Sequence, residues 1–114
     1  MGISQLELEK SRIKYKEKFA AVLPGLEKAF DHIREEVYKE GVLGLKMKRL
    51  MSLAVALRAG CQNCITAQAS LALEAGASVE EILETCSVVV SMSGTTGIAE
   101  SLKVIQLLEE MERL

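Results

Sequence analysis

Gly60-Cys61-Gln62-Asn63-Cys64-Ile65-Thr66-Ala67-Gln68 is the stretch on which the reading of this chain turns. It carries two of the three cysteines, placed where an apolar segment breaks at a glycine and a new helical pattern begins. Spaced i, i+3, the two sulfurs share one face of a helix. A helix that starts near Cys61 would turn unpaired N–H groups and the positive end of its dipole toward them. Both favour thiolate over thiol.

Upstream, Gly44 precedes a helix expected over Leu45–Ala59. From Leu50 onward that segment is almost wholly apolar, which predicts burial on nearly all sides. Before it, Leu26, Phe30, Ile33 and Val37 recur at helical spacing, opposite Glu27, Asp31, Arg34 and Glu35. Pro24-Gly25 opens this second helix, since proline is tolerated in a first turn and not in a helix interior. Residues 3–23 show only a thin stripe (Leu8, Arg12, Tyr15, Phe19, Val22), which predicts a helix on the outside.

Downstream, the fourth helix runs from Cys61 to Gly76, and Ser78-Val79-Glu80-Glu81 has the form of a capping box opening the fifth. Val88-Val89-Val90 has β propensity, but a lone strand with no partner would leave its backbone unpaired. Ser93–Gly97 is expected as a turn and Ile98–Arg113 as the last helix. That helix carries two apolar stripes, Ile98/Leu102/Ile105 and Val104/Leu107/Leu108/Met111. One can pack on the chain's own core; the second asks for a cover, most simply another subunit. The expectation is an all-α bundle of about six helices in one domain over 1–114, with 1–23 an outer helix and 24–114 the core.

The totals agree with a small helical domain. At 114 residues and 49% apolar content the chain can bury a core, yet it has only two Phe, two Tyr and no Trp. The net charge of −2 is unevenly spread: ten basic against eight acidic residues over 1–48, four against eight over 49–114. Neither half is basic enough for a nucleic-acid surface. No run approaches the roughly 18 apolar residues of a membrane span. An odd cysteine count suits a reducing compartment, so a soluble cytoplasmic protein with no nucleic-acid or membrane partner is expected.

Three readings of Cys61 and Cys64 are open. A redox dithiol needs sulfurs close enough to bridge and a low-pKa thiolate to attack. A zinc site needs four ligands, and only Cys86 and His32 could complete one, at unusual spacings. Inert packing is the third. Cys86 lies on an apolar stripe and reads as a core residue, and His32 as a surface or boundary histidine. No metal or cofactor is expected. Thioredoxin is a poor template, because its Cys-x-x-Cys follows a strand in a βαβ unit and nothing upstream here resembles one.

Lys46 to Ala56, then Gly60-Cys61-Gln62-Asn63-Cys64-Ile65, then Ala75-Gly76-Ala77-Ser78-Val79-Glu80-Glu81-Ile82, resemble the carboxymuconolactone decarboxylase / alkylhydroperoxidase D-like family. Ser91-Met92-Ser93-Gly94 is similar to that family's Met-Gly-Gly turn, so the resemblance covers about residues 24–105. It implies an all-α fold assembled as trimers or hexamers, and, for members with the dithiol, thiol–disulfide exchange with an unidentified dithiol or disulfide partner. Some such members are peroxidases. By the same resemblance Cys64 would be the peroxide-attacking sulfur, and Cys61 the more exposed one that exchanges with the reductant.

Two positions depart from the pattern. The family's peroxidase motif has a His four residues after the second cysteine and a Glu twelve before the first. Here those are Gln68 and Arg49. Gln68 cannot take a proton near neutral pH, and Arg49 is always cationic. The expectation is a disulfide oxidoreductase with weak peroxidase activity, in which fixed charge replaces a proton relay. A non-catalytic binding or assembly protein of the same fold is the alternative, and a lactone decarboxylase a more distant one, since it would leave the cysteines unexplained.

Overall fold

The computed structural model describes residues 3–114, which form six helices: α1 Gln5–Val22, α2 Pro24–Val37, α3 Leu45–Ala59, α4 Gln62–Glu74, α5 Val79–Ser93 and α6 Thr95–Glu110. No strand occurs among the described residues, and Val88–Val90 lies within α5. The helices make a flattened body, 39 × 38 × 25 Å. Its centre is where α3, α4, α5 and α6 meet, with Leu53, Leu57, Ile65, Ile82, Leu107 and Leu108 almost fully buried. Each such side chain contributes about 1.5–3 kcal/mol of burial free energy.

The stops follow the local chemistry. Ser4 caps α1 by accepting the Glu7 N–H. Ser78 and Glu81 form the reciprocal capping box expected for α5. Lys48 Nζ donates to the carbonyls of Val37 and Lys39 just past the end of α2, and Glu40 accepts the Leu45 N–H at the start of α3. The α5–α6 joint is tighter than the five-residue turn expected: Gly94 alone separates the helices, at φ 61°. Gly97 lies inside α6, where a Cβ would stand 3.0 Å from Val90 Cα.

Three faces differ from expectation. Helix α3 is buried along one side only, through Leu50, Leu53, Ala56 and Leu57; Met47, Met51 and Val55 are exposed, because a single chain this thin covers one side of it. In α2 the buried residue is Glu27, while Leu26, Phe30, Ile33 and Val37 face outward. Apart from the Lys48 contact at its C-terminal end, α2 packs on α1 alone, and a charge pair joins them: Lys16 Nζ lies 2.6 Å from the Glu27 carboxylate, which Arg34 of α2 itself also holds at 3.2 Å. Helix α1 is an outer element as expected, but its most buried residues are polar, Gln5 and Glu9, with Glu9 held by Arg12 at 2.7 Å, while Leu6 packs partly buried on the core. The two stripes of α6 divide as read from the sequence: Val104, Leu107 and Leu108 are buried, Ile98, Leu102 and Ile105 exposed.

Candidate functional site

The α3–α4 joint sets the cysteines. Gly60 ends α3 in the left-handed region at φ 70°, a conformation that costs glycine nothing. The Cys61 N–H then reaches back to the Ala56 carbonyl at 3.2 Å, completing a Schellman-type closure. Cys61 is therefore fixed in extended backbone as the N-cap of α4, with its sulfur accepting the Cys64 N–H at 3.3 Å. One turn on, Cys64 lies 5.2 Å away (Cα to Cα), and the two are joined as a disulfide. The order of exposure runs opposite to that implied by the resemblance: Cys64 is exposed and Cys61 half-buried, because the N-cap sulfur turns in over its own helix end.

Cys64 stands between two depressions. The first, about 580 Å³, takes in both sulfurs and is mostly apolar, with Leu43, Met51, Val55 and Ala59 in its wall. The second, about 670 Å³, opens between α1, α2, α3 and α4, and receives Cys64 but not Cys61. Arg12, Lys16, Arg34 and Arg49 line it. Val37, Tyr38, Cys64 and Gln68 belong to both and form the ridge between them.

Arg49 and Gln68 are brought together beside Cys64. Arg49 Nη1 donates to Gln68 Oε1 at 3.3 Å, and the guanidinium lies 3.7 Å over the Tyr38 ring, a cation–π stack. Tyr38 is pinned by Ser52, one helical turn beyond Arg49 on α3. The Ser52 hydroxyl donates to the Lys48 carbonyl, so the Tyr38 hydroxyl donates to Ser52. Arg49 is thus held by an aromatic face and a neutral amide, and a guanidinium is no proton carrier.

The sequence assigns no site role to Tyr38, Arg12, Lys16 or Arg34. A weak signal existed for the last two: Glu27 and Arg34, at i, i+7, share a face of α2, and Lys16 is the cation that the Pro24 turn folds back toward them. Nothing in local spacing announces the stack of Tyr38 on Arg49. His32 is exposed on α2. Cys86 is buried on α5, where desolvation pushes its thiol up. Among the described residues no three His, Cys, Asp or Glu side chains gather as a metal-ligand group.

With this geometry in place, comparison with known proteins decides the family. The sequence model of the carboxymuconolactone decarboxylase family matches residues 24–107. This chain belongs to the carboxymuconolactone decarboxylase family. A family member from Legionella pneumophila, solved in its apo form, superposes with a TM-score of 0.86 at 26% identity, over 93% of this chain and 95% of that one. A Thermotoga maritima protein gives 0.76 at 30% identity, over 91% and 94%. A second crystal structure of that protein, at 0.65 and 32% identity over 76% and 93%, is described as a family member suggested to be involved in antioxidative response. An uncharacterised protein of Cupriavidus necator is 28% identical over 74 residues, which are 65% of this chain and 66% of that protein's length. Helix α1, which supplies Arg12 and Lys16 to the second depression, lies outside the span matched by the family.

Proposed function

We propose that the protein is a thiol–disulfide oxidoreductase that cycles Cys61 and Cys64 between dithiol and disulfide. The observation that carries this reading is the placement of the bridged pair, with one sulfur exposed and the other capping a helix N-terminus. An incoming thiolate attacks Cys64 Sγ. The bond to Cys61 breaks, and Cys61 leaves as a thiolate stabilised by the Cys64 N–H and by the α4 dipole, worth about 0.3–1 kcal/mol. A second thiolate then attacks the substrate sulfur of the mixed disulfide and releases Cys64. Two thiols are oxidised to one disulfide, and one protein disulfide is reduced to a dithiol. Run in reverse, the dithiol reduces a disulfide acceptor.

The antioxidative description of the Thermotoga maritima neighbour is compatible with this chemistry. Peroxide turnover would be weak, because Gln68 and Arg49 offer no acid to the leaving alkoxide. The outward apolar residues of α2 and α6 outside the second depression support assembly as a homo-oligomer, a trimer or hexamer, which would cover Leu26, Ile98, Leu102 and Ile105. No helix among the described residues is long and apolar enough to cross a membrane. A reducing compartment such as the cytoplasm would keep the dithiol available.

The test is a free-thiol count by mass spectrometry before and after mild peroxide and again after a dithiol, with the bridge located by peptide mapping. The expected result is reversible loss of two thiols at Cys61 and Cys64, abolished by Cys64→Ser. A pair that stays reduced under mild oxidant, or cannot be re-reduced, refutes the reading. In the reduced protein, alkylation rate against pH should show a thiol activated by the α4 N-terminus with no histidine inflection.

A further inference from the structure

Four cations line the depression that Cys64 shares with α1, and three of them are already matched. Arg12 is held by Glu9, Lys16 by Glu27, and Arg34 by both Glu27 and Asp31. Arg49 is different. Its partners among the described residues are the Tyr38 ring and the neutral Gln68 amide, and no carboxylate answers its charge. A guanidinium has five N–H donors, and one is engaged here. It sits in a concavity whose volume, about 670 Å³, suits a small molecule, with the exposed sulfur in the same concavity.

The redox state sharpens the point. In the dithiol form a Cys64 thiolate would offset Arg49, whereas in the disulfide form the sulfurs carry no charge. The oxidised protein therefore presents an uncompensated, oriented guanidinium beside the sulfur open to attack. Guanidinium groups pair with carboxylate, sulfonate and phosphate oxygens in two-pronged geometry. Resting on the disulfide-exchange reading above, we infer that Arg49 docks an anionic group of the substrate, so that the physiological partner of the disulfide is a small thiol carrying a negative charge. The thiolate of that molecule attacks Cys64 Sγ and Cys61 departs as thiolate. A second equivalent of the same thiol completes its oxidation to the symmetric disulfide. The thiolate then left on Cys64 competes for Arg49, which favours release of the anionic product.

The inference is tested on the full-length oxidised protein with three probes of similar size: 2-mercaptoethanesulfonate, 2-mercaptoethanol and cysteamine. Rates of disulfide opening are read by quenched thiol counting and expressed per thiolate, so that differences in thiol acidity drop out. At about 0.02 M ionic strength the sulfonate should react faster than the ammonium thiol by about fivefold or more, with the neutral thiol between them. Raising the salt to about 0.5 M should compress that ratio toward one. Arg49→Gln should compress it at low salt, Arg49→Lys should retain most of it, and Lys18→Gln, on the exposed side of α1, should leave it unchanged. Equal rates for the anionic and cationic thiols in the unmodified protein, or a preference that survives Arg49→Gln, would overturn the assignment while leaving disulfide exchange standing. No opening with any of the three thiols would overturn disulfide exchange itself, and this inference with it.

Discussion

Gly97→Ala is the most demanding test of the packing that holds the site. The added methyl would meet Val90 Cα at 3.0 Å, the Val89 carbonyl oxygen at 3.1 Å and Val90 N at 3.2 Å. All three are backbone atoms, so no side chain can swing away, and α6 must lift from α5 by several tenths of an ångström. Overpacking of this kind costs about 1–3 kcal/mol. Against it stands the helix propensity of alanine over glycine, at most about 1 kcal/mol. The net loss is up to about 2 kcal/mol and centred on about 1, each kcal/mol being a fall in Tm of about 4 °C for a domain near this size. Gly25→Ala is the matched control: it is also helical, with nothing within 4 Å of the new Cβ, and should hold or gain stability. The assay is thermal and urea unfolding of both variants at one protein concentration, since assembly would make Tm concentration-dependent. A Gly97→Ala protein more stable than its parent would refute the close α5–α6 crossing.

Three more outcomes are expected. Glu27 is held below the usual carboxylate range by Lys16 and then Arg34, Glu81 by the Ser78 N–H and then Lys46, and Glu110 by the Leu6 N–H and then Gln106. Groups depressed in the folded state lend stability that is complete above their ordinary value of 4.5 and lost as pH falls through the lower folded values. Urea midpoints should therefore be flat from neutrality to about pH 5 and decline below pH 4.5; a decline setting in well above that range would contradict it. Glu27→Gln should loosen α2 from α1, read as severalfold faster limited proteolysis between α2 and α3 with the α3–α6 core still intact. The double change Gln68→His with Arg49→Glu should raise peroxide turnover by an order of magnitude or more, the range of general acid–base assistance being about 10²–10⁴; no gain would mean that these positions never governed proton transfer.

How much of this was legible beforehand depends on how local the cause was. Six helices could be read because their stops are written in single residues: Pro24, Gly44, Gly60, Gly76 and the Ser78 cap. The division of α6 into a buried and an open stripe was also legible, since helical spacing alone sorts Val104 and Leu107 from Ile98 and Leu102. The orientation of α2 was not. Its apolar stripe suggested the inward side, yet Lys16 of α1 pairs with Glu27 and draws it inward instead. That outcome depends on α1 folding back, which no window of the sequence contains. Reading Arg49 as a cation beside the sulfurs came from the family resemblance, but its seat on Tyr38 comes from the α2–α3 connection, and the exposure order of the cysteines from the turn at Gly60.

Cys86 bears on the proposed disulfide exchange. Three cysteines could in principle pair in three ways, and scrambling among them would blur any electrochemical signal. Sealed at 6% exposure inside α5, with its proton held on by desolvation, the third sulfur is a spectator. Under the proposed disulfide exchange the molecule would be left with a single two-electron couple, its oxidation level one bit that a partner could write and read.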